Sequence, residues 1–136
     1  MNTTIKMILK KAQTIAILGA SRNTNKDSYK VMLYLQKNGY KTLPVNPYAA
    51  KEKILGEKVY KNLSEIDMDI DILNIFRPSH EILDITKEII NSNIKTVWLQ
   101  VDIFDLNAEK ILKKSNISFF QNMCMKKEHY KLFKYV

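Results

Sequence analysis

Five short stretches hold most of the residues able to do chemistry. They are GASRNTNKDS at 19–28, the residues from Asn46 to Lys51, FRPSH at 76–80, the segment 100–105 and the segment 121–125. In the first, a turn at Gly19 lets backbone N–H groups approach a ligand. Ser21, Ser28 and the unpaired N–H groups at a helix start are a phosphate-binding set, with Arg22 and Lys26 adding charge. The plainer reading is an ordinary strand-to-helix turn, since only Gly19 of the dinucleotide fingerprint G-x-G-x-x-G is present. Asp27 suits a helix N-terminus but repels an anion unless it points away.

The second stretch closes a strand with PVNPY. A unit built for NAD places Asp or Glu there for the ribose diol. Asn46 and Pro47 weaken that reading and permit a phosphorylated ribose, with Lys51 or Lys53 as partner. In FRPSH, Arg77 is either a phosphate or carboxylate contact or a surface charge. Phe76 is able to stack on a flat ring, and Pro78 fixes the exit of the chain. In VWLQVD at 97–102, Trp98 reads as core and Gln100 as a hydrogen-bonding group at a strand end. Cys124 is either a small buried hydrophobe or an activated thiol at a helix start beside Lys126 and Lys127. His129 lies one turn on, with no third group to complete a nucleophile–base set. His80 reads as a surface residue.

The elements that position these stretches alternate in period. Strands are predicted at 14–19, 41–46, 69–76, 94–101 and 117–120. Helices are predicted at 28–38, stopped by Gly39, at 79–91 with Ser79 as N-cap, at 106–114 with Asp105 as N-cap, and at 125–134. Residues 53–66 read as a short extended excursion and one helical turn, and residues 1–12 as an amphipathic lead-in to the first strand. Alternating strands and helices imply right-handed crossovers and a parallel sheet. The strands are near-continuous apolar runs, as in sheets covered on both faces. The expectation is an α/β, Rossmann-like, doubly wound, mainly parallel five-stranded sheet flanked by helices in three layers, as one domain over residues 1–136. Ligands in such sheets bind beyond the carboxyl ends of the strands, which is where the five stretches fall.

Composition narrows the function classes. Of the 136 residues 46% are apolar and 26% charged, the profile of a globular domain. No apolar run is long enough to span a bilayer, and the N-terminus lacks the apolar core of a signal peptide, so a cytoplasmic location is expected. One cysteine excludes an internal disulfide, and two separated histidines give no metal-ligand spacing. The net charge of +8 comes mostly from lysines spread along the chain. They form no dense basic block, which argues against nucleic acid and leaves a compact polyphosphate ligand open.

Taken in order, AILGAS, SYKVMLYLQKNGY, PVNP, ILGEKVYKNLSEI, DILNIFRPS, VWLQ and CMKKEH resemble the stand-alone CoA-binding domain family. That Rossmann-like domain is similar to the one opening the α subunit of succinyl-CoA synthetase and the ADP-forming acyl-CoA synthetases. The resemblance implies coenzyme A or acyl-CoA lying across the carboxyl edge of the sheet. Gly19, Ala20, Ser21 and Arg22 would then face the phosphates or the adenosine part, with Ser28 at the helix start. Asn46, Pro47 and Lys51 would border the nucleotide. Phe76, Arg77 and Pro78, with Gln100, would line the path of the pantetheine arm. The chain departs from the family pattern in three places. Lys26-Asp27 replaces a basic residue followed by Pro, Asp102 stands where Gly is common, and Asn122-Met123 stands where Asp-Arg is common. The synthetases' phosphohistidine machinery lies in further domains, so their catalysis is not expected here. The expected function is CoA binding without catalysis. The alternatives are an NADP-dependent enzyme using the same cleft and a regulatory or interaction protein with a degenerate nucleotide site.

Overall fold

A computed structural model describes residues 2–50 and 52–134 of the chain. Its main sheet is formed by β1 (Thr14–Leu18), β2 (Lys41–Val45), β5 (Ile72–Ile75), β6 (Thr96–Leu99) and β7 (Ser118–Phe120). The strands are all parallel, in the order β2-β1-β5-β6-β7. A two-stranded hairpin, β3 (Lys53–Ile54) and β4 (Glu57–Lys58), flanks β2, with Leu55 and Gly56 both at positive φ in its turn. This is the twist a two-residue hairpin loop requires.

β1, β5, β6 and β7 each feed two cores, because successive side chains point to opposite faces. Ile15 and Ile17 of β1 enter one core, closed by α1 (Asn2–Lys11), α2 (Asp27–Lys37) and α5 (Met125–Phe133). Ala16 enters the other, closed by α3 (Ile82–Ile89) and α4 (Leu106–Lys114). The expected three-layer fold is thus present, with Trp98 fully buried in the first core and its Nε1–H donating to the Met123 carbonyl at 2.9 Å. Asp105 caps α4 by accepting from the Ala108 N–H at 2.8 Å. At the end of α2, Gly39 at φ +91° allows the Tyr40 N–H to reach the Leu35 carbonyl at 3.1 Å.

Two expectations are corrected. The lead-in is itself a helix, α1, whose Ile5 and Leu9 are buried one turn apart. Ser79 does not cap α3. It opens a single 3₁₀ turn at Ser79–Glu81, and its Oγ accepts instead from the Phe104 N–H at 3.1 Å. Pro78, held extended at ψ 151°, delays the α-helix to Ile82.

Candidate functional site

The strand order reverses between β1 and β5. From β1 the chain turns toward α2 on one face, and from β5 it turns toward α3 on the other. The two loops diverge and leave a cleft beyond the carboxyl ends. The cleft encloses about 630 Å³, within the roughly 300–1,000 Å³ usual for small-ligand sites.

Gly19 makes the divergence possible. Its φ is +90°, and a Cβ there would sit 3.0 Å from the Phe76 carbonyl oxygen. The need for glycine therefore comes first from the approach of β5. The Gly19 and Ala20 N–H groups both donate to the Val45 carbonyl, at 3.0 and 3.3 Å, so they tie the loop to β2. The rest of the loop is organised locally. Ser21 Oγ accepts from the Asn23 N–H at 3.0 Å, and Asn23 Oδ1 accepts from the Asn25 N–H at 2.9 Å. It delivers the chain to α2, whose N-cap, Lys26, makes no side-chain bond to the helix. The first-turn N–H groups have no acceptor within the helix and stand at the cleft, with Ser28 only 5% exposed in its wall.

Asn46 closes the opposite wall. Its Nδ2 donates to the Ala20 carbonyl at 2.8 Å, and its Oδ1 accepts from the Tyr48 N–H at 2.9 Å. One end of the amide ties the two loops together and the other closes a turn within its own loop, and Pro47 and Tyr48 form the lip beside it. Arg77 is gripped at both ends by Glu81, with Nε–Oε1 at 3.0 Å and Nη2–Oε2 at 2.6 Å. The bidentate pair raises the arginine pKa and holds the glutamate carboxyl below its ordinary range.

Of the residues singled out in the sequence, Gly19, Ala20, Ser21, Ser28, Asn46, Pro47, Phe76 and Arg77 line this one cleft, as do Lys26 and Asp27. Arg22, Pro78 and Gln100 do not. Arg22 turns outward to Glu52 at 2.6 Å, a surface ion pair that raises the Arg22 pKa. Pro78 lies just outside the wall at the start of the 3₁₀ turn. Gln100 is drawn inward because its Nε2 donates to buried Asn74 Oδ1 at 2.6 Å, on the opposite side of the sheet from α3. Lys51 lies outside the described residues, and Lys53 sits in the hairpin away from the cleft. Cys124 is half-buried at the N-cap of α5, also outside it. His129 is buried with its Nδ1 2.8 Å from the Tyr34 hydroxyl, so it serves the first core.

Sequence reasoning missed the third wall, formed by Lys61, Asn62 and Leu63 facing Glu81, Ile85 and Glu88. The last three fall on one helical stripe, at spacings of four and three. That spacing is visible in the sequence, but it points to a ligand only once β5 is known to lie next to β1. Among the described residues the wall carries three cations, Lys26, Lys61 and Arg77, and three carboxylates, Asp27, Glu81 and Glu88.

The comparisons with known proteins cover nearly the whole chain. Residues 13–130 match the family described as CoA binding domain. The chain is similar to the uncharacterized protein YneT of Bacillus subtilis, 32% identical over 125 residues, covering 92% of this chain and 91% of that one. It is similar in structure to the protein of cell-free ID.343 from Thermus thermophilus. There the TM-score is 0.94 and the identity 34%, over 98% of this chain and 99% of the other. An ADP-forming acetate–CoA ligase II of Archaeoglobus fulgidus is 30% identical over 100 residues, which are 72% of this chain but only 15% of the ligase.

Proposed function

Because this chain belongs to the CoA binding domain family, we propose that it is a cytoplasmic binding module for coenzyme A or an acyl-CoA, without a catalytic step of its own. The observation that carries this reading is the cleft at the strand-order reversal, with the uncapped start of α2 in its wall. N–H groups and the positive end of the helix dipole favour a phosphate there, and Lys26 reinforces them. Phe76 offers an apolar surface to the adenine ring or the pantetheine arm. Arg77, already held rigid by Glu81, presents its remaining donors to a second phosphate.

Among the described residues of the wall no nucleophile is paired with a base, and this reading assigns them binding and orientation. An NADP reading draws no support from Asn46, whose amide is consumed between the two loops. One observation favours a second reading, a nucleotide site no longer in use: the three carboxylates balance the three cations of the wall.

Thermal unfolding with CoA, acetyl-CoA, NAD, NADP and ATP in parallel tests these readings. A ligand held only by the folded state adds about 2.7 kcal/mol at a hundredfold excess over Kd. Stabilisation by CoA and acetyl-CoA alone is expected, with Arg77→Ala weakening it about tenfold in Kd, about 1.4 kcal/mol. Stabilisation by NADP alone overturns the proposal, and no response to any of the five establishes the second reading.

A further inference from the structure

The cleft does not end at the carboxyl edge. A second cavity of about 570 Å³ adjoins it between α3 and the segment 61–70, with Asn62, Leu63 and Glu88 lining both. Phe76 lines the first cavity and Ile70 the second. β5 and the residues flanking it separate them, at most about 20 Å of chain at 3.3 Å per residue. The two together form a groove running beside α3 through the depth of the sheet.

The chemistry changes along that groove. The first cavity holds the uncapped start of a helix, and its cations, Lys26, Lys61 and Arg77, share the wall with as many carboxylates. The second is floored by Leu63, Ile66, Ile70 and Ile89 and ends at Asp67 and Asp69. The negative end of the α3 dipole lies there too. Among the described residues no lysine or arginine lines it.

We propose that this second cavity receives the acyl chain of a CoA thioester and selects uncharged chains over chains ending in a carboxylate. This rests on the reading of the first cavity as the CoA site. With the phosphates at α2, the arm leaves past Phe76 and Leu63 into the adjoining cavity, where the apolar floor is rimmed by Ser64, Asn91, Ser92 and Asn93. Each methylene buried against the isoleucine floor favours binding. A terminal carboxylate arriving beside Asp67 and Asp69, both exposed at the end of the groove, meets like charge.

Calorimetric titration with CoA, acetyl-CoA, hexanoyl-CoA and adipoyl-CoA tests this, since the last two share a chain length and differ in the terminal charge. Hexanoyl-CoA is expected to bind at least tenfold more tightly than CoA or acetyl-CoA, and adipoyl-CoA more weakly than hexanoyl-CoA. In Asp67→Lys/Asp69→Lys, two exposed positions, adipoyl-CoA should match or overtake hexanoyl-CoA while CoA itself is unchanged. Equal affinities for all four ligands in the wild type overturn this inference and leave the CoA site standing. Failure of all four to bind overturns both. The wild-type ranking decides the matter even if the double variant does not fold.

Discussion

On one side of β5 the carboxyl edge of the sheet opens into a cleft, and on the other the same edge is knitted shut. Toward β1, the loops after Leu18 and Ile75 meet where Gly19 packs against Phe76 and Arg77, and then leave for opposite faces. Toward β6 and β7, both crossover helices, α3 and α4, lie on one face, and the loops nest. There Gln100 bonds Asn74, the Asp102 N–H donates to Asn122 Oδ1 at 2.7 Å, and the Asp105 N–H donates to Gln121 Oε1 at 3.0 Å. Asp102 and Asn122 both adopt positive φ to make this lacing, at +67° and +57°. Asp102 thus holds a left-handed backbone that glycine adopts most easily, at some cost in strain. Opening depends on the handing of the crossovers. Loops with polar side chains occur on both sides, and among the described residues the diverging pair is the one that opens a cleft at this edge.

The largest effect is expected from Gly19→Ala, which attacks the open side. Its new Cβ meets the Phe76 carbonyl, and its φ of +90° is strained for any other residue. A loss of about 2–3 kcal/mol in urea unfolding should accompany loss of CoA binding. An unchanged midpoint would mean that β1 and β5 separate easily, and the comparison would fail.

Gln100→Leu attacks the closed side. It leaves Asn74 Oδ1 buried without its donor, at a cost of about 1–3 kcal/mol. The Kd for CoA should stay as in the wild type. A weaker Kd would show that the laced half takes part in the site after all.

His129 provides a control remote from both halves. Burial, with Lys134 adding to it, lowers its pKa below the usual 6.5. The unfolded chain then binds a proton that the folded chain refuses. Stability should be fully present above pH 6.5 and fall as pH drops from there to the lowered value of the folded state. His129→Phe should flatten the melting temperature over this window. A slope that persists would assign the effect to other groups.

The smallest effect is expected from Asp27→Asn in the first turn of α2. Removing the charge costs the helix about 0.3–1 kcal/mol through the dipole, while CoA affinity should rise several-fold. The opposite signs separate a residue that serves the helix from one that serves the ligand. Tighter binding without any loss of stability would mean that the charge does not act on the dipole.

Much of the fold was legible because its signals are local. The apolar runs of β1, β5 and β6, the stop at Gly39 and the cap at Asp105 each depend on residues within a turn or two. α1 was missed although Ile5 and Leu9 carry helical spacing, because a short lysine-flanked segment becomes a stable helix only when a core receives it. The cleft was legible as far as strand ends predict loops, and Gly19–Ser21, Ser28, Asn46, Pro47, Phe76 and Arg77 all line it. Gln100 was placed at the ligand by its position after a strand. A buried amide across the sheet claimed it, and that partner is 26 residues away.

The sequence by itself determined where strands and helices run, that both faces of the sheet are covered, and which loops stand at the carboxyl edge. Periodicity and turn residues express these over short distances. Only the tertiary structure decided that β1 and β5 are neighbours, and so that Glu81, Ile85 and Glu88 face Gly19 and Lys61 across a cleft. It also decided that Asn46 and Gln100 spend their amides on the protein. Strand order is a property of packing between elements far apart in the chain, and a side chain's availability to a ligand depends on which partner reaches it first.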